Sequence, residues 1–178
     1  MNAPTDYKAM GVEIREAFTG DAPAILAIHN QVIANSTAIY LEDPVDLPVI
    51  EQWMAQRIGD GYPVLVALID DKLIGYGSFG VFRARPGYRF TVEHSVHVGA
   101  KCRGKGVGGA LMAALIARAK ADGYHVMIGA VDASNEKSLN FHARLGFKIH
   151  APLREIGLKR GQWLDMSFIT LRLDDGDA

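Results

Sequence analysis

The stretch Arg103-Gly104-Lys105-Gly106-Val107-Gly108-Gly109 constrains this chain most, because it follows a strand-like run and opens a strongly helical one. The first amides of a helix have no intrahelical partner, and glycines before them let an anion come close to the backbone. Gly104, Gly106, Gly108 and Gly109 supply that freedom, while Arg103 and Lys105 add positive charge. The turn therefore reads as a site for a diphosphate-bearing cofactor. The surrounding strand, turn and helix point to a layered α/β domain.

The 178 residues fit one domain, and 49% hydrophobic content can fill its core. Nineteen basic against twenty acidic side chains leave a net charge of -1, which gives no bulk electrostatic reason to expect nucleic acid or an anionic membrane as partner. A single cysteine, Cys102, excludes an intrachain disulfide framework and a cysteine-rich zinc site, and no metal is expected. The N-terminus lacks an apolar signal core, and no apolar run approaches the roughly 20 residues that span a bilayer. A cytoplasmic protein is expected, with a loose N-terminus over 1–11, one domain over 12–173 and an acidic tail over 174–178.

Periodicity predicts a strand over 12–18, then a helix whose buried stripe holds Ile25, Leu26, Ile28, His29, Val32 and Ile33. A second helix follows Asp46. Residues 62–69 and 73–79 read as a hairpin closed by Asp70-Asp71, and 88–98 as the next strand. The helix after the glycine turn carries Val107, Leu111, Ala114, Leu115 and Arg118 on one face and closes at Gly123. A strand over 125–131, a helix over 136–145 and a strand over 163–173 complete the order. A hairpin followed by a βαβ unit makes the sheet mixed rather than wholly parallel.

Gly104, Gly106 and Gly109 also satisfy the dinucleotide fingerprint, with Asp132 at about the separation, roughly 20 residues, expected of a ribose-binding acid. Against that reading, Glu93, His94 and Ser95 sit where a buried parallel strand would be apolar. About 45 residues after Asp132 are too few for the rest of a doubly wound oxidoreductase. No Gly-Lys-Ser/Thr completes a nucleoside triphosphate loop.

Arg103-x-x-Gly106-x-Gly108 at a helix start resembles the pyrophosphate signature of the GNAT N-acetyltransferase superfamily. Asn135-x-x-Ser138 followed by Phe141-His142-Ala143-Arg144-Leu145-Gly146-Phe147 resembles its second signature. Residues 61–66, 91–98 and 161–165 further resemble the phosphinothricin and methionine sulfoximine or methionine sulfone acetyltransferases within it. The resemblance implies a mixed, mostly antiparallel central sheet flanked by helices, acetyl-coenzyme A as co-substrate, and a homodimer with the Trp163 region near its interface.

Acetyl transfer needs a neutral amine, a polarised thioester carbonyl and a proton for the departing thiolate. Strand alternation groups Arg89, Thr91, Glu93, Ser95 and His97 on one face. By resemblance Glu93 is the general base, although a carboxylate paired with Arg89 would also suit the pattern. The resemblance also implies that Val96, His97 and Val98 hold the pantetheine and carbonyl through their backbone. His142 stands where most superfamily members have a tyrosine acid, and is a candidate acid or a packing residue. Asn135 and Ser138 would flank the pantetheine, or Asn135 would simply cap its helix.

Arg83, Arg85 and Arg89 flank a Pro86-Gly87 turn, and three guanidiniums there, with Ala84 among them, suit the carboxylate of an amino acid; the resemblance favours Arg83. His94, Ser95 and Tyr40 are further substrate-contact candidates. The expected activity is transfer of acetyl to the α-amine of a small amino acid analogue in a ternary complex. Alternatives are an acetyltransferase for a polyamine, antibiotic or protein N-terminus, a non-catalytic acyl-coenzyme A sensor, and the dinucleotide oxidoreductase.

Overall fold

Turn and capping chemistry set the element boundaries along the chain. The computed structural model describes residues 11–174. Strand β1 (Glu13–Glu16) leads through a 3₁₀ turn to helix α1 (Ala22–Asn35), where the Asp21 carboxylate accepts the Phe18 amide at 2.9 Å. Helix α2 (Leu47–Gly59) starts after Asp46, with a proline in its first turn, where a missing amide hydrogen does no harm. Strands β2 (Val64–Ile69) and β3 (Lys72–Val81) form the expected hairpin, closed by Asp70 and Asp71 at φ 49° and 58°. Two left-handed residues make the turn whose twist matches the strands.

The next strand, β4 (Thr91–Val98), is shorter than expected. Pro86–Tyr88 folds into a 3₁₀ turn that Arg89 closes in helical conformation. The Pro-Gly chemistry therefore overrides the strand pattern, and Arg89 does not share a strand face with Glu93. Helix α3 (Val107–Ala121) ends before Gly123 at φ 79°, and β5 (Val126–Asp132), α4 (Glu136–Arg144), β6 (Lys148–Ile149), β7 (Leu153–Lys159) and β8 (Gln162–Arg172) follow. Strands β6 and β7 were not foreseen. Apart from Gly11 and Asp174, the expected loose ends lie outside the described residues, and Asp174 is ion-paired with Arg172 at 2.7 Å.

The strands hydrogen-bond in the order β1-β2-β3-β4-β5-β8-β6, with β7 also on β8, in a mostly antiparallel open sheet. The chain divides into two compact units. One holds the residues through Gln31, Val45–Phe79 and Ser95–Ala117. The other holds Val32–Pro44, Gly80–His94 and the residues from Arg118 onward.

In the first unit β2 pairs antiparallel with β1 and β3 and is buried along nearly its whole length, as its unbroken apolar run requires. Gly77 lets α3 close on the sheet, since a Cβ there would stand 3.0 Å from Leu115 and Val96 side chains. In the second unit β4 and β5 are parallel, completing the βαβ unit, and Val92, Met127 and Ile169 are fully buried.

Candidate active site

In the first unit the glycine turn has the geometry its sequence promised. Gly104 and Gly106 adopt φ of 77° and 78°, a left-handed region open to glycine at little cost. The Gly106 carbonyl accepts the Ala110 amide at 3.0 Å, so Gly106 caps the start of α3 and the amides of Val107, Gly108 and Gly109 precede the first intrahelical bond. Lys105 and Arg103 are exposed beside them. Arg103 Nε also donates to the Val98 carbonyl at 3.2 Å, tying the turn to the end of β4. Backbone amides, a helix N-terminus and two cations fit a pyrophosphate.

Val96, His97 and Val98 lie just before this turn, and the His97 side chain packs against two aromatic neighbours. Its ring centroid is 5.3 Å from that of Tyr76 and 6.3 Å from that of His29. The Tyr76 hydroxyl and His29 Nδ1 share a 2.7 Å hydrogen bond. Burial, with the nearby His29 and Arg103, pushes the His97 pKa down to about 4, so it is neutral near pH 7. Burial likewise raises the Tyr76 phenol and lowers His29. In sequence His29 falls on the buried stripe of its helix; its pairing with Tyr76 joins residues 47 positions apart and carries no local signal.

In the second unit Glu93 is half-buried, and Glu93↔Ile128 is the last rung of the parallel β4–β5 ladder. His94, on the opposite face of the strand, is buried. Its ring lies 5.1 Å from His142 and 5.3 Å from Phe147. Gly129 makes room for it, because a Cβ there would sit 2.6 Å from His94 Nε2. Ser95, next along β4, is exposed and belongs to the first unit.

His142 is buried, and its Nδ1 stands 2.8 Å from the Ser138 carbonyl. A carbonyl only accepts, so Nδ1 carries the proton and neutral Nε2 presents a lone pair. Burial lowers the His142 pKa, partly offset by that carbonyl bond, and the neutral form prevails near pH 7. An acid role would need the imidazolium, which this burial disfavours. Asn135 caps α4, its Oδ1 accepting the Ser138 amide at 3.1 Å, so the capping alternative is present. Its side-chain amide hydrogens are not used by that bond.

Asp132, whose spacing matches a ribose-binding acid, is buried and accepts both the Ser134 amide and hydroxyl at 2.8 Å. Burial works against its charge, but hydrogen bonds from Thr37 and Ser134 outweigh it and hold its pKa below the usual value. It therefore organises a turn, and the dinucleotide reading loses its acid.

Arg83, Ala84 and Arg85 are exposed, with Arg83 over the Phe82 ring at 5.2 Å. Arg89 instead donates to the Pro86 carbonyl at 3.1 Å. Tyr40 is 37% exposed, with its ring directly over Gly157. Burial and the carboxylates of Asp132 and Asp165 raise its phenol pKa. Among the described residues no cluster of His, Cys, Asp and Glu could hold a metal ion, and no helix is long and apolar enough to cross a membrane.

This arrangement has counterparts among known proteins. The acetyltransferase (GNAT) family model matches residues 25–147. A methionine sulfoximine/methionine sulfone acetyltransferase of Pseudomonas aeruginosa is 46% identical over 166 residues, covering 93% of this chain and 96% of that protein. A phosphinothricin N-acetyltransferase of Alcaligenes faecalis is 36% identical over 99% of this chain and 94% of its own. The crystal structure of a phosphinothricin acetyltransferase from Sinorhizobium meliloti in complex with acetyl-coenzyme A superposes with a TM-score of 0.89 at 34% identity, covering 93% of this chain and 90% of that one. Glycine turn, open helix start, mixed sheet and family match agree, and the chain belongs to the GNAT family as an acetyl-coenzyme A-dependent N-acetyltransferase.

Proposed function

We propose that residues 12–173 act as one acetyltransferase domain that moves acetyl from acetyl-coenzyme A to the α-amine of a small amino acid analogue of the methionine sulfoximine, methionine sulfone or phosphinothricin type. The observation that carries the mechanism is the layout of β4. One strand holds a half-buried carboxylate at Glu93 and, about 10 Å further on at strand rise, the Val96–Val98 backbone that leads into the glycine turn. The named substrates of the relatives support the amino acid class. The exposed Arg83 and Arg85 support recognition of its carboxylate.

In this reading Val107, Gly108 and Gly109 amides with Lys105 and Arg103 hold the pyrophosphate, while backbone groups of Val96, His97 and Val98, with Asn135 and Ser138, hold the pantetheine. Arg83, Ala84, Arg85, His94, Ser95 and Tyr40 line the amino acid site. Acetyl-coenzyme A supplies the activated thioester. Glu93 takes a proton from the ammonium, directly or through one water, so that the amine can attack the carbonyl. The C–N bond forms and the C–S bond breaks in a ternary complex, without an acyl-enzyme; the nitrogen then sheds its second proton to solvent and the thiolate collects one from solvent, for a net release of one proton. His142 holds His94 and Phe147 by packing.

The enzyme is proposed to be a cytoplasmic homodimer. Ile156, Leu158 and Trp163 of the β7–β8 hairpin are 50%, 48% and 60% exposed, a cluster of large apolar side chains suited to a second copy.

Thiol release from acetyl-coenzyme A tests the reading with methionine sulfoximine, methionine sulfone, phosphinothricin, spermidine and a short peptide. Release is expected with the amino acid analogues, and Glu93→Gln should keep acetyl-coenzyme A affinity while losing about 100-fold or more in kcat. Turnover of spermidine or peptide alone would refute the substrate class, and unchanged kcat in Glu93→Gln would refute the base.

A further inference from the structure

The β7 strand reverses the usual polarity of a half-buried strand. Its Ile156 and Leu158 face outward, while Lys159 is only 3% exposed. A buried lysine normally needs a counter-charge or a full set of acceptors. Lys159 Nζ has the second: it donates to the carbonyls of Ile33 at 2.9 Å, Ser36 at 2.7 Å and Ile39 at 2.6 Å. Three hydrogens meet three acceptors, so the ammonium is satisfied without a carboxylate in contact. Its neighbour Arg160 donates to the Ile33 and Ala34 carbonyls at 3.0 and 2.7 Å, and its amide donates to Glu42 at 2.9 Å.

These acceptors belong to the end of α1 and to the loop that follows it. The last carbonyls of a helix lack intrahelical donors and carry its negative dipole end, which explains why cations gather there. The loop itself is mostly exposed and has little apolar anchorage of its own. Its other tie in the same unit is the Tyr40 ring over Gly157, two residues before Lys159. The hairpin turn that aims the two cations is Arg160-Gly161, with φ of 51° and 73° and Lys159 paired to Gln162 across it.

We propose that Lys159 is a positioning residue for the amino acid substrate: its ammonium gathers the Ile33, Ser36 and Ile39 carbonyls and so fixes the loop that presents Tyr40 to the pocket. The inference rests on the substrate reading above, in which Tyr40 lines the amino acid site. A loop ordered before substrate arrives spares the substrate the cost of ordering it. Removing the ammonium therefore weakens amino acid binding and leaves the glycine turn of the first unit untouched.

Lys159→Met keeps the unbranched side chain up to its ε position and deletes the ammonium with its donors. In full-length enzyme it is expected to raise KM for the accepted amino acid about tenfold or more, with a smaller change in kcat and an unchanged dissociation constant for acetyl-coenzyme A. Amide hydrogen exchange over 36–44 should accelerate in the same variant. Arg160→Gln, at an exposed position, should shift both readouts in the same direction by less, and it serves if the buried substitution does not fold. An unchanged amino acid KM and unchanged exchange in a folded Lys159→Met overturn the inference while native turnover leaves the substrate reading standing. An equal loss of acetyl-coenzyme A affinity also overturns it, since that would mean general loosening. Were the native enzyme to acetylate no amino acid in the panel, the substrate reading would fall and the positioning role with it.

Discussion

His142 illustrates how a single hydrogen bond assigns a tautomer and with it a chemical role. With Nδ1 donating to the Ser138 carbonyl, the neutral ring has no proton on Nε2 to give to a thiolate. His142→Phe preserves a ring against His94 and Phe147 and loses the Nδ1 contacts with the Ser138 carbonyl and hydroxyl. Its kcat is expected to stay within about threefold of native, with the alkaline limb of the pH profile unmoved, because acid catalysis would contribute about 100-fold or more. A loss of that size in steady-state kinetics between pH 6 and about 9 would restore His142 as the acid. The motif around Asn135 made both roles of His142 legible, but the choice between them depended on burial and on which nitrogen faces a carbonyl.

The junction of β1 and α1 shows an electrostatic device built from two neighbouring elements. Arg15 donates to both carboxylate oxygens of Asp21 at 2.7 and 2.9 Å, and the Phe18 amide donates to the same group at 2.9 Å. The hydrogen bond from Arg15 is the largest cause of the lowered Asp21 pKa, ahead of burial, which opposes it, and of the Phe18 amide. A carboxylate whose folded pKa is depressed stabilises the fold fully above its unfolded value, near 3.8, and loses that contribution as pH falls through the folded value. Asp21→Asn should therefore cost about 1.5–3 kcal/mol at pH 7 in urea denaturation, with the difference from native shrinking below pH 4. A pH-independent difference would mean that packing, not charge, holds this corner.

For the assembly, the exposed Ile156, Leu158 and Trp163 give the proposed dimer a specific test. Analytical ultracentrifugation of the 19.3 kDa chain should find about twice that mass, and Ile156→Glu with Trp163→Glu should return it to the monomer mass. A native chain that sediments as a monomer at high concentration would refute the interface. The hairpin carrying these residues was the least legible part of the fold. Lys148–Ile149 is too short to show periodicity, and Leu153–Lys159 buries Gly157 and Lys159 while exposing its large apolar residues, the reverse of the pattern by which strands are read.

The order of helices and strands, the glycine turn with its open helix start and the GNAT signatures were all set by contiguous residues, because φ preference, capping and periodicity act within a few positions. The βαβ unit and the hairpin at Asp70-Asp71 came through for the same reason. Arg89 failed as a strand residue because the adjacent Pro-Gly turn, also local, won over alternation. Only the folded chain decided that Asp132 holds a turn, that His29 pairs with Tyr76, and that Lys159 closes on carbonyls 120 to 126 residues away. Those roles depend on burial and on partners distant in sequence, and charge satisfaction in a low-dielectric interior is a property of the packed neighbourhood.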